Sequence, residues 1–418
     1  MMLNTNVEQF KKDFFEREKR VADAVSLRKP DRVPIVVLFG SFICDYAGIT
    51  RRDYLYNAEA AYEANYKTVI ELQPDLAPHV RTFGSILEIL DFKQLKWAGR
   101  DFSDDIDFQF VEGEYMKADE YDAFLYDPTD FMLRYYWPRI FGKLKFFGDI
   151  PPLREIITYY LGAASGFIPF GLPEGHELLD ILRKVGEESI KVSHIMGAHI
   201  KRLMSSGFPP FAGATTQAPF DTLGDFFRGL KGIMLDMYRR PEKVIAACEK
   251  LLPWMLEMAI RGVQKSGIKR VFIPLHKGQD GFMSLEQYKR FYWPTFKELL
   301  EALVREGITP IVLLEGKYDS RLEIIKDVPE GKIVYWFEHV DMRKAKKILG
   351  DRVCIMGNVP LALLVAGTPN DVSEYCKKLI LEVGKDGGFI MSASGVLDRA
   401  RVENVKAMFE TTKNTRLI

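Results

Sequence analysis

Side chains able to bind a metal or transfer a proton directly follow several predicted strands of this 418-residue chain. Three of the six histidines lie at such positions, namely His79, His276 and His339. Two carboxylates, Glu315 and Glu338, also follow predicted strands. Imidazole nitrogen and carboxylate oxygen are ligands that zinc and other divalent metals accept. The residue types therefore favour a metal site or a site for acid–base catalysis.

His276 and Glu315 follow successive strands, and Glu338 or His339 follows the next one. Because the carboxyl ends of parallel strands meet at one edge of a sheet, we expect these side chains to converge and His276 and Glu315 to hold a divalent metal. No HxH, HExxH or CxxC motif is present, so a simple rim of salt bridges is the alternative. In that alternative Glu315 pairs with one of three cations: Lys277, Lys317 or Arg321.

Other polar residues follow strands on the same predicted rim. Gln217 in GATTQAPF and Asn358 in IMGNVP are candidates for binding a substrate, and Ser392 and Ser394 follow the last strand. His194 and His199 lie five residues apart in a helix-like run, so they do not share a helix face and are interpreted as structural.

The elements that must position these residues alternate between short apolar strands and amphipathic helices. This alternation is typical of parallel βα units. With extended segments near 74–80 and 210–216, the units number about eight or nine, which predicts an α/β (β/α)8 TIM barrel. A doubly wound sheet is the alternative, but no GxGxxG turn follows any strand. The predicted strands are Arg32–Phe39, Ile268–Pro274, Ile308–Leu314, Lys332–Phe337, Val353–Met356 and Phe389–Met391.

Helix signals agree with this pattern. Apolar residues recur at helical spacing over 6–27, Ser284–Gln287 forms a capping box, and Thr368 followed by Pro369 starts a helix. Further helices are predicted over Arg343–Leu349 and Val402–Thr412.

One aromatic-rich segment interrupts the alternation. Residues 121–147 contain ten aromatic side chains in 27 positions, within an insertion of about 95–180. The whole chain, 1–418, is predicted to be a single barrel domain that contains this insertion. The aromatic rings either pack on the barrel or form the wall of a flat, apolar substrate site. In the second case Tyr135, Tyr136 and Trp137 contact the substrate.

Composition excludes several classes of protein. The 58 basic residues balance 58 acidic ones, which argues against a nucleic-acid-binding protein. Hydrophobic residues make up 47% of the chain and charged residues 28%, as in a globular protein with a large core. Four scattered cysteines suggest a reducing compartment. There is no signal-peptide pattern and no membrane-spanning apolar stretch, so we expect a cytoplasmic location.

Several motifs resemble the uroporphyrinogen decarboxylase superfamily, whose fold is a (β/α)8 barrel. The segment CIMGNVPLALLVAGTPNDVSEYCKKLILEVGKDGGFIMSASGVLDRARVENVKAMFE resembles its C-terminal third. APFDTLGDFFRGLKGIMLDMYRRPEKV, GFMSLEQYKRFYWPTFKELLEAL and KPDRVPIVV resemble earlier parts. The resemblance covers most of the chain outside 95–180.

The superfamily includes decarboxylases and corrinoid-dependent methyltransferases. The decarboxylases carry an RQAGR-type basic motif after the first strand and a late histidine, whereas this chain has FGSFICDYAGITRR and GFIMSASGV there. Coenzyme M methyltransferases bind zinc through an HxC motif and a later cysteine, where this chain has Leu313, Glu315 and Ser394. The resemblance is therefore nearest in kind to the O-demethylases, with oxygen and nitrogen ligands in place of thiolates.

This resemblance implies a methyltransferase that moves a methyl group from a small donor, such as a methoxylated aromatic, to the cob(I)alamin of a partner corrinoid protein. Zinc on His276 and Glu315 would activate the leaving oxygen, and Glu338 or His339 would complete the site or donate a proton. One alternative is a decarboxylase of a porphyrinogen or another carboxylated aromatic. Another is a non-catalytic barrel that binds a corrinoid protein or a ligand.

Overall fold

Six parallel strands lie side by side in chain order, from Ala214–Thr215 to Phe389–Ala393. The computed structural model describes residues 2–80, 82–157 and 160–417. A separate antiparallel pair, Leu95–Lys96 and Gln109–Phe110, lies in the insertion. The strands are β1 (Leu95–Lys96), β2 (Gln109–Phe110), β3 (Ala214–Thr215), β4 (Arg270–Leu275), β5 (Thr309–Lys317), β6 (Val334–His339), β7 (Cys354–Val359) and β8 (Phe389–Ala393).

Two extended segments join the edges of this sheet. The first, 33–39, pairs in parallel with β8, and the N–H of Val36 donates to the carbonyl of Met391 over 3.0 Å. The second lies beside the first, since the N–H of Asp75 donates to the carbonyl of Ile35 over 2.8 Å. Ala77 then pairs in parallel with Pro210, just before β3. These bonds link the six-stranded parallel sheet and the two extended segments into a ring of eight, and the α/β fold predicted from the sequence is confirmed.

Helices surround the ring and connect its segments. The α-helices are α1 (Met2–Val25), α2 (Phe42–Ala47), α3 (Arg51–Tyr56), α4 (Ala58–Leu72), α5 (Gly84–Ile89), α6 (Tyr121–Tyr126), α7 (Pro128–Phe131), α8 (Trp137–Ile140), α9 (Tyr160–Gly166), α10 (Pro173–Ser205), α11 (Pro219–Thr222), α12 (Gly229–Arg239), α13 (Pro241–Ser266), α14 (Leu285–Gln287), α15 (Trp293–Arg305), α16 (Leu322–Ile325), α17 (Met342–Leu349), α18 (Leu361–Ala366), α19 (Pro369–Leu379) and α20 (Val402–Asn414). The predicted capping box at Ser284 and the predicted helix start at Thr368 are both present, and Thr368 also forms a capping box. No helix in the described part of the chain is long and apolar enough to cross a bilayer.

Short π-helical and 3-10 segments continue or link these helices. The π segments are Met132–Tyr136, Leu223–Arg228, Tyr288–Tyr292 and Ile380–Gly384. The 3-10 segments are Gly142–Asp149, Leu153–Ile157 and Ile168–Gly171. A π segment adds one residue per turn and thereby redirects the side chains it carries.

Alternate residues of the strands form two separate cores. One set fills the ring interior, where α1 closes the lower end, and includes Ile311, Leu313, Val334, Trp336, Cys354, Met356 and Ile390. The other set packs outward against the helices and includes Val312, Leu314, Tyr335, Phe337 and Ile355. This two-residue alternation decides which polar side chains face the mouth of the ring.

The aromatic-rich insertion packs against the barrel. The ring of Tyr136 stacks on Phe227 at 4.7 Å, and its hydroxyl donates to Gln94 over 3.2 Å. Trp137 packs edge-on against Phe147, in a small apolar cluster that also contacts α10. Within the predicted insertion of 95–180, positions 158–159 lie outside the described residues.

A buried carboxylate ties the first two segments of the ring together below the core. Asp75 is fully buried and accepts a hydrogen bond from the N–H of Ile35 over 2.7 Å. It also accepts from Arg20 over 2.7 Å and from both terminal nitrogens of Arg32.

Replacing Asp75 tests this link. Because Asp75→Ala leaves two partly buried guanidinium groups without this partner, we expect a loss of about 3–5 kcal/mol in the free energy of unfolding, measured by urea denaturation. The exposed Lys326–Asp351 pair is the control, and Asp351→Ala should leave the unfolding midpoint unchanged. A wild-type midpoint for Asp75→Ala would contradict this role.

Candidate active site

Strand register and side-chain alternation place five polar residues in one row at the mouth of the ring. The inward positions Leu313, Trp336 and Met356 are each followed two residues later by a polar residue. Leu275 pairs with Leu314, so the residues that come after them are neighbours, and Asn358 pairs directly with Ser392. The row consists of His276, Glu315, Glu338, Asn358 and Ser392.

His276 lies between two carboxylates. Its Nδ1 is 2.5 Å from an oxygen of Asp225, and its Nε2 is 3.9 Å from an oxygen of Glu315. Asp225 is buried, whereas the His276 side chain is 34% exposed and Glu315 is 43% exposed. The imidazole is therefore oriented from below by a buried carboxylate and presents its other nitrogen to the open mouth.

The pKa of His276 is raised to about 9. Burial alone lowers it, but the hydrogen bond to Asp225 and the nearby charges of Asp221 and Glu315 outweigh this effect. His276 is therefore an imidazolium at neutral pH in the metal-free protein.

The pKa values of the carboxylates in this site are shifted in different directions. Burial raises the pKa of Glu315, helped by the charge of Glu338 and opposed by His276. Burial also raises the pKa of Asp221, and the Asp225 charge adds to it. Burial would raise the pKa of Asp225 too, but its contacts with His276 and Lys277 reverse the effect and lower it. The site thus holds a cation and one clearly ionised carboxylate in direct contact.

Two residues of this site, Asp221 and Asp225, were not predicted from the sequence. Both oxygens of Asp221 accept backbone N–H groups, from His276 over 3.0 Å and from Lys277 over 2.9 Å. Tyr292 also donates its hydroxyl to Asp221 over 2.7 Å. The signal was present in the sequence as two acidic residues four apart shortly after β3, because that spacing places both on one helix face.

Glu338 faces the mouth and His339 faces away from the ring. Glu338 accepts from the N–H of Gly316 over 2.5 Å, and its other oxygen lies 3.4 Å from Nε2 of His339. The His339 side chain is 60% exposed. The amide of Asn358 donates to the carbonyl of Val340 over 3.1 Å and so ties the end of β7 to the end of β6. Glu338 is therefore linked both to the row and, through His339, to solvent.

A cavity opens beside Glu338. Its volume is about 340 Å³, and its walls include His339, Asn358, Tyr375 and Ser394. The hydroxyl of Ser394 accepts the N–H of Leu361 over 3.3 Å. Polar hydrogen-bonding groups thus line the space next to the candidate reaction centre.

The other predicted site residues lie outside this contact network. His79 ends the second extended segment and contacts the ring of Phe211 edge-on at 6.4 Å. Gln217 is half-buried between β3 and α11. Tyr135 stacks on Phe131 at 5.5 Å within the insertion. Since Tyr136 and Trp137 also pack among other aromatic rings, the role of this aromatic group in substrate binding stays a prediction.

The predicted rim of salt bridges takes a different form. Lys277 pairs with Asp225, and Arg321 is buried, where it donates to the carbonyls of Gly278 and Met283. Among the described residues, the ion pair of Glu315 is with His276. The cations around the mouth therefore hold the loop after β4 rather than neutralising Glu315.

The donor set partly matches a metal site. No three His, Cys, Asp or Glu side chains in the described ranges are arranged as a complete ligand group. His276 and Glu315 nevertheless supply a nitrogen and an oxygen donor 3.9 Å apart, and Asp225 orients the imidazole as the outer carboxylate does in many zinc sites. Glu338 is the next carboxylate in the row. His276 and Glu315 therefore supply two candidate ligands, and Glu338 is a candidate for a third.

Comparison with known proteins relates the chain to one family. The family model described as uroporphyrinogen decarboxylase (URO-D) matches residues 184–415. Uroporphyrinogen decarboxylases from Chlorobium phaeobacteroides and Geobacter metallireducens are 25% and 27% identical over 183 and 177 residues, each match covering 42% of this chain and 50% of the relative. The chain thus spans about half the length of the curated relatives it matches.

A solved structure shares the whole fold. A methyltransferase from Methanosarcina mazei superposes with a TM-score of 0.64 and 14% sequence identity, covering 95% of this chain and 98% of that one. At this identity the similarity shows the fold.

The raised pKa of His276 can be tested by titration. In protein labelled with ¹⁵N-histidine, we expect His276 to lose its proton near pH 9, and in Asp225→Asn at a clearly lower pH. The reason is that the amide removes both a charge and a strong acceptor, while burial remains. His199, whose pKa is lowered to about 4 mainly by burial, serves as the control and should be unchanged. Titration near pH 9 in Asp225→Asn would disprove this explanation.

Proposed function

Because the chain belongs to the uroporphyrinogen decarboxylase family, we propose that it is an enzyme of that family's methyltransferase type. In this proposal the methyl group of a small donor, a methoxylated aromatic, passes to the cob(I)alamin of a partner corrinoid protein. The carbon–oxygen bond breaks, the bonding electrons stay on the leaving oxygen, and the methyl group forms its new bond to Co(I).

One observation supports methyl transfer over decarboxylation: the mouth of the ring is acidic. Asp221, Asp225, Glu315 and Glu338 lie around His276 and Lys277, and both of these cations already contact Asp225. A porphyrinogen with several carboxylate side chains would meet repulsion here, since like charges at close range are unfavourable. The site therefore favours a donor without several acid groups over the decarboxylase alternative.

His276 and Glu315 are the residues that would hold zinc, with Glu338 as the nearest further carboxylate. Zinc bound there would supply Lewis-acid polarisation of the ether oxygen. Asp225 keeps the proton of a neutral His276 on Nδ1, so that Nε2 faces Glu315 and the mouth. The protein's own contribution is thus to fix one imidazole tautomer and to place a carboxylate opposite it.

Glu338 and His339 provide a path for a proton to the leaving oxygen. His339 lies in solvent and is 3.4 Å from Glu338, which faces the row. A proton taken from solvent by His339 can pass to Glu338 and then to the phenolate. This arrangement supports a relay role for His339 and a donor role for Glu338.

The methyl donor would occupy the space beside this row. Asn358 lines the cavity next to Glu338, and Gln217 is half-buried at the end of β3. We propose that both amides orient the donor. Tyr135, Tyr136 and Trp137 belong to the insertion, which packs behind Asp225 through Phe227. Their proposed role is to keep water from the side of the site that faces the insertion.

Zinc binding is the first test. Elemental analysis should find about one zinc per wild-type chain after a zinc soak and removal of excess metal, and less than about a tenth of that in Glu315→Gln, because the amide is a poor metal ligand. Glu323→Gln, a change at an exposed position on α16, is the matched control and should keep the metal. Absence of zinc from the wild type would overturn the metal step.

The affinity for zinc should depend on pH. Because His276 must lose its proton to bind a metal and its pKa is about 9, the apparent affinity should rise about tenfold per pH unit between pH 7 and 8. Competition with a chelator of known pH dependence measures this slope. A flat profile would show that His276 is not a ligand.

Methyl transfer itself is measured by the absorbance change of free cob(I)alamin incubated with methoxybenzene derivatives. Wild-type protein should give methylation, and both Glu315→Gln and Glu338→Gln should lose at least about 100-fold in rate. Decarboxylation of a porphyrinogen, detected as product by absorbance after oxidation, without methyl transfer would favour the alternative.

A further inference from the structure

We propose that Asp221 is a positioning residue that sets where His276 stands relative to Glu315. Asp221 accepts hydrogen bonds from the backbone at the end of β4, at His276 and Lys277. Asp225 instead contacts the side chains of these two residues. The inference rests on the proposed function insofar as it treats His276 as a functional group. Its geometric basis does not depend on the reaction.

Asp221 uses both of its oxygens on the backbone after β4. One oxygen accepts from the N–H of His276 over 3.0 Å and the other from the N–H of Lys277 over 2.9 Å. Tyr292 adds a third donor, its hydroxyl, to the oxygen that bonds His276. The side chain is fully buried, so these three groups replace its hydration. The first two residues after β4 are therefore fixed in direction by one carboxylate.

Asp225 contacts the side chains of the same two residues. It contacts Nδ1 of His276 with one oxygen and the ammonium of Lys277 with the other. Asp221 lies in α11, and Asp225 lies in the π segment Leu223–Arg228 that continues it. The two acids, four residues apart on one helical face, thus both contact the same two consecutive residues of the facing loop. The backbone contact and the side-chain contact together leave His276 little freedom to turn.

A carboxylate is required at position 221 because both facing groups are N–H donors. An asparagine there has one acceptor oxygen and one NH₂ group. Whichever way the amide turns, its NH₂ faces the N–H of His276 or of Lys277, and one backbone contact is lost. Placing two buried carboxylates four residues apart is electrostatically unfavourable. The three aligned donors on Asp221 offset this cost, and the result is a fixed direction for the loop after β4.

Asp236 offers a matched comparison elsewhere in the chain. It is also buried, it accepts the hydroxyl of Tyr121 over 2.9 Å, and it contacts Arg228 over 2.5 Å. A third contact, over 3.4 Å, is with Arg240, which directly follows its own helix α12. A change at Asp236 therefore removes a buried carboxylate of similar type whose partners are not at the end of β4.

The test compares Asp221→Asn with Asp236→Asn in two measurements. The first is the ring-nitrogen spectrum of His276 in metal-free, ¹⁵N-histidine-labelled protein, where the chain's six histidines limit the number of signals. The second is zinc affinity by chelator competition. We expect Asp221→Asn to shift the His276 signals and to weaken zinc binding about 10- to 100-fold, as loss of an outer-sphere contact does. Asp236→Asn should change neither.

A second pair of variants covers the case in which Asp221→Asn does not fold. Tyr292→Phe removes one donor from Asp221 and leaves both backbone contacts, so it should shift the same His276 signals by a smaller amount. Tyr121→Phe removes the corresponding hydroxyl from Asp236 and should not shift them. Unchanged His276 signals in Asp221→Asn, or in Tyr292→Phe where the first variant is unfolded, would overturn the proposal.

The two measurements separate this inference from the proposed function. If the wild type binds no zinc but the His276 signals still respond to Asp221→Asn and not to Asp236→Asn, the metal step fails and the positioning role stands. If zinc binds normally and Asp221→Asn changes neither measurement, the positioning role fails and the metal step stands.

Discussion

A closed ring of parallel strands has a single interior, and every strand must fill it with every second residue. In this protein that constraint selects Leu313, Trp336 and Met356 as interior groups and sends Val312, Tyr335 and Ile355 outward to the helices. Two residues after each of these interior groups, the next inward side chain of the strand lies at the mouth of the ring. The polar row at the mouth is thus a continuation of the apolar core below it.

Buried groups beneath the polar row at the mouth determine how its charged side chains are held. Glu315 and Glu338 are partly exposed, whereas Asp221 and Asp225 are buried and accept from several donors. Buried carboxylates need partners, and the loop after β4 supplies backbone N–H groups, an imidazole and an ammonium. The buried pair therefore holds His276 in place, and Glu315 and Glu338 lie on the open side of the ring.

Much of the barrel could be predicted from the sequence, because apolar strands and capped helices are local patterns. The N-caps at Ser284 and Thr368 lie where the residue types predicted them. The short strand β3 and the extended segment through Asp75 were predicted only as approximate ranges, since few of their residues are paired and their order comes from long-range contacts. Whether Glu338 or His339 faces inward could not be predicted, because a shift of one residue exchanges them.

The two acids under His276 could not be predicted from polar residues at strand ends. Asp221 and Asp225 belong to a helical segment, and the π turn that begins at Leu223 redirects the side chains after it. Two contacts pack against that turn from the other side: Gln94, just before the insertion, donates to the carbonyl of Phe226, and Tyr136 of the insertion stacks on Phe227. Because Asp225 directly precedes these two phenylalanines, both contacts adjoin the backbone that carries the carboxylate under His276. The aromatic residues therefore contribute to the packing around that turn.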